Sequence, residues 1–242
     1  MELKFFHFYP DLMSLYGSYA NLTVLRRHLE SQGHTVSVTA VRPGEKADLS
    51  GADFLFMGAG TERSQKAAAA DFTGYGAAVK AAAADGVSML FAGTALELLG
   101  QTVTDRDGAV YPGIGLGSFT SAQGDKRIVG DVYGATALYE EPVVGFMNKA
   151  ALLRGVETPF LTSLSMGFGN EAEGGAEGFR FENVLGSELT GPILVKNPAL
   201  LETVAAAVCR RRGLSPKPLQ DDCARRGYAI TAEQLKLRFE KR

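Results

Sequence analysis

Phe54-Leu55-Phe56-Met57 is apolar at every position and runs straight into Gly58-Ala59-Gly60. Thirty-three residues on, Val87-Ser88-Met89-Leu90-Phe91 runs in the same way into Ala92-Gly93-Thr94, and helical spacing follows. A strand without polar alternation has no face to give to water. It needs cover on both sides, which a parallel sheet obtains from its crossover helices. The segments around these runs agree. Leu3 to Tyr9 is short, apolar and aromatic and stops at Pro10; from Asn21, Leu22, Leu25 and Leu29 recur at helical spacing until Gly33; Thr35 to Val41 alternates. An alanine-rich tract repeats Lys66-Ala-Ala-Ala-Ala-Asp71 as Lys80-Ala-Ala-Ala-Ala-Asp85, which reads as helix propensity with small packing surfaces rather than a structural repeat. With a helix over Ala95–Leu99, the series is β-α-β-β-α-β-α.

The second half has a different texture. Glycines are dense from Gly108 to Gly134, and Ile128-Val129-Gly130-Asp131-Val132-Tyr133 alternates, pointing to an antiparallel extension. Gly174-Gly175 and Gly178 mark a loop or hairpin before Phe179–Leu185. Pro198–Arg212 reads as an amphipathic helix and Thr231–Phe239 as a weaker one. No polar or Pro-rich linker divides the 242 residues, so the expectation is one α/β domain over 1–242: a mostly parallel sheet flanked by helices, with an antiparallel extension.

Charge and cysteine content narrow the function classes. A formal net charge of −2 gives no electrostatic reason to expect nucleic acid as a partner. The one dense basic run, Arg210-Arg211-Arg212, is expected to be a solvated cap at a helix end. Two cysteines, Cys209 and Cys223, cannot staple a secreted scaffold. No apolar run approaches the ~20 residues of a membrane span, and the N-terminus lacks a signal-peptide pattern. The expectation is a cytoplasmic protein. His7, His28 and His34 form no metal-ligand spacing with cysteines, so no metal and no cofactor are expected.

The stretch Met89-Leu90-Phe91-Ala92-Gly93-Thr94-Ala95-Leu96-Glu97-Leu98-Leu99-Gly100 has the form of a strand–turn–helix elbow, on which many α/β enzymes mount a nucleophile. Three further segments accompany it: Tyr9-Pro10-Asp11-Leu12-Met13-Ser14-Leu15-Tyr16-Gly17-Ser18-Tyr19-Ala20-Asn21, Met57 to Gln65, and Asn183 to Pro198. In order and spacing, over nearly the whole chain, the four resemble the CobB/CobQ-type class I glutamine amidotransferases, most closely the glutaminase (GatD) subunits of lipid II isoglutaminyl synthase. The resemblance implies a flavodoxin-like sheet. It also implies a Cys on the elbow that attacks the glutamine amide, a distant His that serves it, and ammonia passed to a MurT-like Mur ligase homologue that amidates lipid II.

Aligned on Leu98-Leu99-Gly100, the elbow places Gly93 where that family has its Cys. Aligned on Gly191-Pro192, the chain places Thr190 where the family has its His. No Cys precedes Cys209 and no His follows His34, so a Cys-then-His pair cannot be built in any register. Thr94 is the only hydroxyl on the elbow and is read as a helix N-cap. In another enzyme with a nucleophile–His pair, losing one member costs about a millionfold. Gly145-Phe146-Met147-Asn148-Lys149 falls where the family has Gly-Phe-Glu-Asn-His, so a second acid and imidazole are also replaced.

The substrate-binding candidates are Gly58, Ala59 and Gly60, which resemble the family's oxyanion loop, together with Thr94 and Arg127. Arg127 resembles the arginine that holds the substrate α-carboxylate, a task suited to a guanidinium. The leading expectation is therefore a catalytically degenerate subunit for a MurT-like ligase. It keeps a shaped hollow in which Gly93→Cys with Thr190→His would restore thioester formation. Two alternatives stay open: a sensor that binds glutamine or another amino acid through Arg127, and an amidotransferase active through relocated groups, among them Cys209 or Cys223.

Overall fold

The computed structural model describes residues 1–172 and 174–241. In chain order its elements are β1 (Glu2–Phe8), α1 (Ala20–Ser31), β2 (Thr35–Val41), β3 (Phe54–Met57), α2 (Glu62–Phe72), α3 (Gly76–Ala84) and β4 (Ser88–Ala92). There follow a 3₁₀ segment over Gly93–Leu99, then β5 (Thr102–Thr104), β6 (Val110–Pro112), β7 (Thr120–Thr136), β8 (Val143–Arg154), β9 (Leu161–Met166), β10 (Phe179–Phe181) and β11 (Val184–Ser187). The chain closes with α4 (Ile193–Lys196), α5 (Pro198–Arg211) and α6 (Asp222–Phe239).

The unalternated runs become the centre of a six-stranded sheet ordered β10-β11-β4-β3-β1-β2, parallel throughout except for β10. Every residue of β3 and β4 is buried. One face packs against α2 and α3 through Phe8, Phe72, Val79 and Phe91. The other packs against α1 and α5 through Phe5, Phe54, Leu25 and Leu201. The glycine-rich half forms the expected second sheet, ordered β6-β5-β7-β8 with β9 also on β7. It is antiparallel apart from the β5–β7 pairing.

Two buried asparagines fasten the segment after β11. Asn21 Oδ1 accepts from the Leu194 N–H at 2.8 Å, and its amide donates to Ser18 O. Asn197 Oδ1 accepts from the Val144 N–H at 2.8 Å while its amide donates to Val144 O and Ile193 O. Both side chains are about 1% exposed or less and meet their hydrogen-bonding needs, as buried amides must.

Three sequence expectations change. Ala95–Leu99 is part of a 3₁₀ segment, not an α-helix. The last helix starts at Asp222, nine residues earlier than its apolar pattern suggested, because the Asp221 carboxylate caps the Ala224 N–H. Only Leu235 of that helix is buried, so little periodicity was written into it. The Arg210–Arg212 run is not simply solvated. Arg212 Nη1 meets both oxygens of the fully buried Asp53 side chain at 2.9 Å, and Arg211 bridges Asp53, Asp85 and Ala52 O.

Candidate functional site

The carboxyl ends of the parallel strands, where open α/β sheets place their ligands, bring four segments together: the loop after β1, Gly58-Ala59-Gly60 after β3, Gly93-Thr94 after β4, and Glu188–Thr190 after β11. The β1 loop lies directly on the glycine loop. The Leu15 N–H donates to Ala59 O at 2.8 Å, and Ser18 Oγ accepts from the Ala59 N–H at 3.2 Å. A Cβ on Gly58 would stand 2.4 Å from the backbone Met13 O and 2.3 Å from Ser18 Oγ, so this approach requires glycine there; one on Gly60 would stand 2.4 Å from Met13 Sδ and 3.1 Å from Leu12 O.

Thr94 does something other than cap a helix. Its hydroxyl accepts from the Gly60 N–H at 3.0 Å and donates to Gly60 O at 3.1 Å, while Gln65 Nε2 holds Thr94 O at 2.8 Å. The residue before the 3₁₀ segment is Ala92, with no side-chain cap. The amides of Ala59 and Gly60, which the resemblance offers to an oxyanion, are thus both committed to side chains of this protein.

Gly93 has the backbone that a strand–turn–helix elbow needs, with φ +61° after an extended Ala92. A side chain there has no room. A Cβ at 93 would lie 2.6 Å from Ala59 Cβ and 3.3 Å from Ala59 Cα, a clash that only movement of the loop backbone could relieve. The expected hollow at Gly93 is therefore occupied by Ala59.

Thr190 is 6% exposed, and both its N–H and its hydroxyl donate to Phe146 O, at 2.8 and 3.0 Å. Met147 is fully buried and bridges to Leu189. Arg127 stands on β7, at the wall of a cavity of about 490 Å³ lined also by Thr61, Glu62, Arg63, Lys66 and Gln123. Arg127 Nη1 pairs with Glu62 Oε1 at 2.6 Å, and its Nε donates to Asn148 Oδ1 at 2.8 Å; Asn148 Nδ2 in turn donates to Tyr16 Oη at 3.0 Å. The structure thus gathers Gly58, Ala59, Gly60, Gly93 and Thr94 into one close-packed knot. Arg127 lies in the neighbouring charged cavity, and Thr190 is turned to β8.

Sequence reasoning missed the buried acids. Glu97, Glu177 and Glu188 are at most 2% exposed, and Lys149 is 3% exposed. Burial pushes the Glu97 and Glu177 carboxyls up to about 7 and raises Glu188 as well. Glu97 Oε2 accepts from Ser121 Oγ at 2.5 Å. Gln123 Nε2 links Glu97 to Gln65 Oε1, which also accepts from Tyr111 Oη. Glu177 accepts from Ser187 Oγ and the Glu188 N–H, whereas Lys149 Nζ donates to Gly169 O at 2.7 Å. The one visible signal was a carboxylate inside Ala95-Leu96-Glu97-Leu98-Leu99, where apolar spacing leaves no outward face.

Cys209 does not reach the elbow. It is buried on α5 two residues before Arg211, which grips Asp85 and Ala52 O at the amino ends of β4 and β3. Gly93 follows the carboxyl end of β4, a five-residue strand, or ~16 Å at ~3.3 Å per residue. Cys223 is exposed at the start of α6. Among the described residues, no group of three or more His, Cys, Asp or Glu is placed to hold a metal ion, and no helix is long and apolar enough to cross a membrane.

The chain is 28% identical over 221 residues to the GatD subunit of lipid II isoglutaminyl synthase (glutamine-hydrolyzing) of Staphylococcus aureus, covering 91% of this chain and 90% of that one. With the GatD subunit of the same synthase of Streptococcus pneumoniae it shares 29% over 215 residues, covering 87% and 82%. Among solved structures, PurLQS from Thermotoga maritima aligns with a TM-score of 0.55 at 14% identity, over 87% of this chain and 97% of that one. A glutamine amidotransferase crystal structure aligns with 0.54 at 16%, over 84% and 98%. These structures agree with the mostly parallel, helix-flanked architecture. The model of the CobB/CobQ-like glutamine amidotransferase domain matches residues 4–198, and the chain belongs to that family.

Proposed function

We propose that this chain is a GatD-like subunit without glutaminase chemistry. In this reading it lends the amidotransferase fold to a MurT-like Mur ligase homologue that amidates cell-wall precursors in the cytoplasm. The similarity to two GatD subunits over most of both chains supports the assembly. The observation that carries the loss of chemistry is Ala59 seated where a side chain at Gly93 would go, with Thr94 closing both hydrogen-bonding groups of Gly60. Acyl transfer needs a nucleophile, a base within reach and free donors for the oxyanion. Gly93 brings no nucleophile, Thr190 offers a hydroxyl turned to Phe146 O, and the loop donors are engaged.

The test is glutamine hydrolysis by the purified protein, alone and co-expressed with a MurT-like ligase. The expected result is no ammonia above background from glutamine, with amidation by the complex sustained by free ammonium. Turnover of glutamine that disappears when Thr94 or Arg127 is replaced would overturn the proposal.

One observation favours a second reading, an amino-acid-binding module. Arg127 lines a 490 Å³ cavity whose wall carries both charges, as a zwitterion requires. Calorimetry with glutamine, repeated on Arg127→Ala, decides it: heat that vanishes in the variant supports binding, and no heat in either rejects it.

A further inference from the structure

Residues 222–239 lie beyond the span that the family model matches, and with β8 and the segment Val195-Lys196 they line a second cavity. α6 is held across the antiparallel sheet by Arg238 on Asp131 (2.6 Å), by Tyr228 Oη on Pro142 O (2.7 Å), and by Leu235 packed with Val144 and Met166. Between it and the segment Val195-Lys196 runs a groove of about 410 Å³. Its walls include Phe146, Val195, Tyr228 and Leu235, and Gly145 and Gly227 leave it open. Phe146 and Val195 are 37% and 44% exposed, so large apolar surface faces the groove without cover.

Two charged groups enter this lining. Asp131 is already paired with Arg238. Lys196 is half-buried, and among the described residues no carboxylate lies within 4.0 Å of its ammonium and no acceptor within hydrogen-bond distance. Burial pulls its amine below the ordinary lysine range, against the opposing pull of Asp131. A half-buried cation with no carboxylate in contact bears part of the cost of leaving water, and a ligand anion offsets that part. The volume is in the range of small-molecule sites.

We infer that the groove between α6 and β8 binds a small carboxylic acid with an apolar body, the carboxylate on Lys196 and the body against Phe146, Val195 and Tyr228. The charge pattern selects an acid over an amine, because the groove's acidic group is spent within the fold and its basic group is not. The site is separate from the knot at Gly93 and stands whether or not that knot hydrolyses glutamine.

Octanoate is the probe, with octanamide as its uncharged match, titrated into ¹⁵N-labelled protein. Octanoate is expected to shift the amides of Gly145, Lys196 and Gly227 with a roughly millimolar Kd, and octanamide to bind at least about tenfold more weakly. Lys196→Met, which keeps the apolar stem, should bring octanoate down to the octanamide level. Gly227→Leu gives a variant that is not expected to fail by unfolding: a Cβ there meets nothing within 4 Å, and replacing a mid-helix glycine favours the helix. It should melt no lower than the parent and lose the octanoate shifts. Octanoate shifts that avoid these amides, or that persist at full strength in Lys196→Met, overturn the inference.

Discussion

Ala59 Cβ crowds the place where a side chain on Gly93 would begin: a Cβ built at 93 falls 2.6 Å from it. The two residues come from the loops after adjacent parallel strands, β3 and β4, so their closeness is fixed by the sheet itself. Gly93 keeps the φ of +61° that an elbow needs, yet the space over it belongs to its neighbour. The elbow is geometrically present and sterically closed.

Gly93→Cys should therefore destabilise the protein by about 1–3 kcal/mol through overpacking and the left-handed backbone. Adding Ala59→Gly removes the clashing methyl and should recover part of that loss, giving a coupling of at least ~0.5 kcal/mol in a double-mutant cycle by urea denaturation. Gly93→Cys with Thr190→His alone should form no thioester with a glutamine analogue. Mass spectrometry is expected to detect adduct only when Ala59→Gly is added.

Thr94→Val should cost about 1–3 kcal/mol, because it strands the buried N–H and C=O of Gly60, and Thr94→Ser should restore most of it. Chemical denaturation of the three proteins measures this directly.

Arg212→Ala should destabilise by roughly 1–3 kcal/mol. It leaves the fully buried Asp53 carboxylate with Arg211 at 3.3 Å and the Lys4 N–H at 2.8 Å in place of a two-pronged contact. Arg210→Ala, next door, should change stability by less than ~0.5 kcal/mol. Thermal melts of the two variants separate an anchoring pair from a solvated cap.

His7 and the buried glutamates should bend the pH dependence of stability in opposite directions. Burial lowers the His7 imidazole to about 4, so as pH falls from 6.5 the unfolded chain takes up that proton first and stability drops towards pH 4. Replacing His7 with Phe should flatten that limb. Glu97 and Glu177 are raised to about 7 from 4.5, so the native state holds their protons and their contribution is lost as pH rises from 4.5 through 7. Glu177→Gln retains an acceptor for Ser187 and the Glu188 N–H and should remove its share of this decline. Urea midpoints taken between pH 4 and 8 test both slopes.

By itself, the sequence determined the parallel core. Phe54–Met57 and the run into Phe91 have no polar face, and only a helix-covered sheet satisfies strands of that kind. It also determined that no cysteine precedes Cys209 and no histidine follows His34, because composition needs no coordinates. It could not show that Ala59 fills the space at Gly93, that Thr94 binds Gly60 rather than capping a helix, or that Arg212 serves Asp53 across 159 positions of chain. Each of these depends on contacts of about 3 Å between residues far apart in sequence. Hydrophobic periodicity fixes which face of an element is buried. Which atom meets which across a core is fixed only when the strands have paired and the loops at their ends must share one small volume.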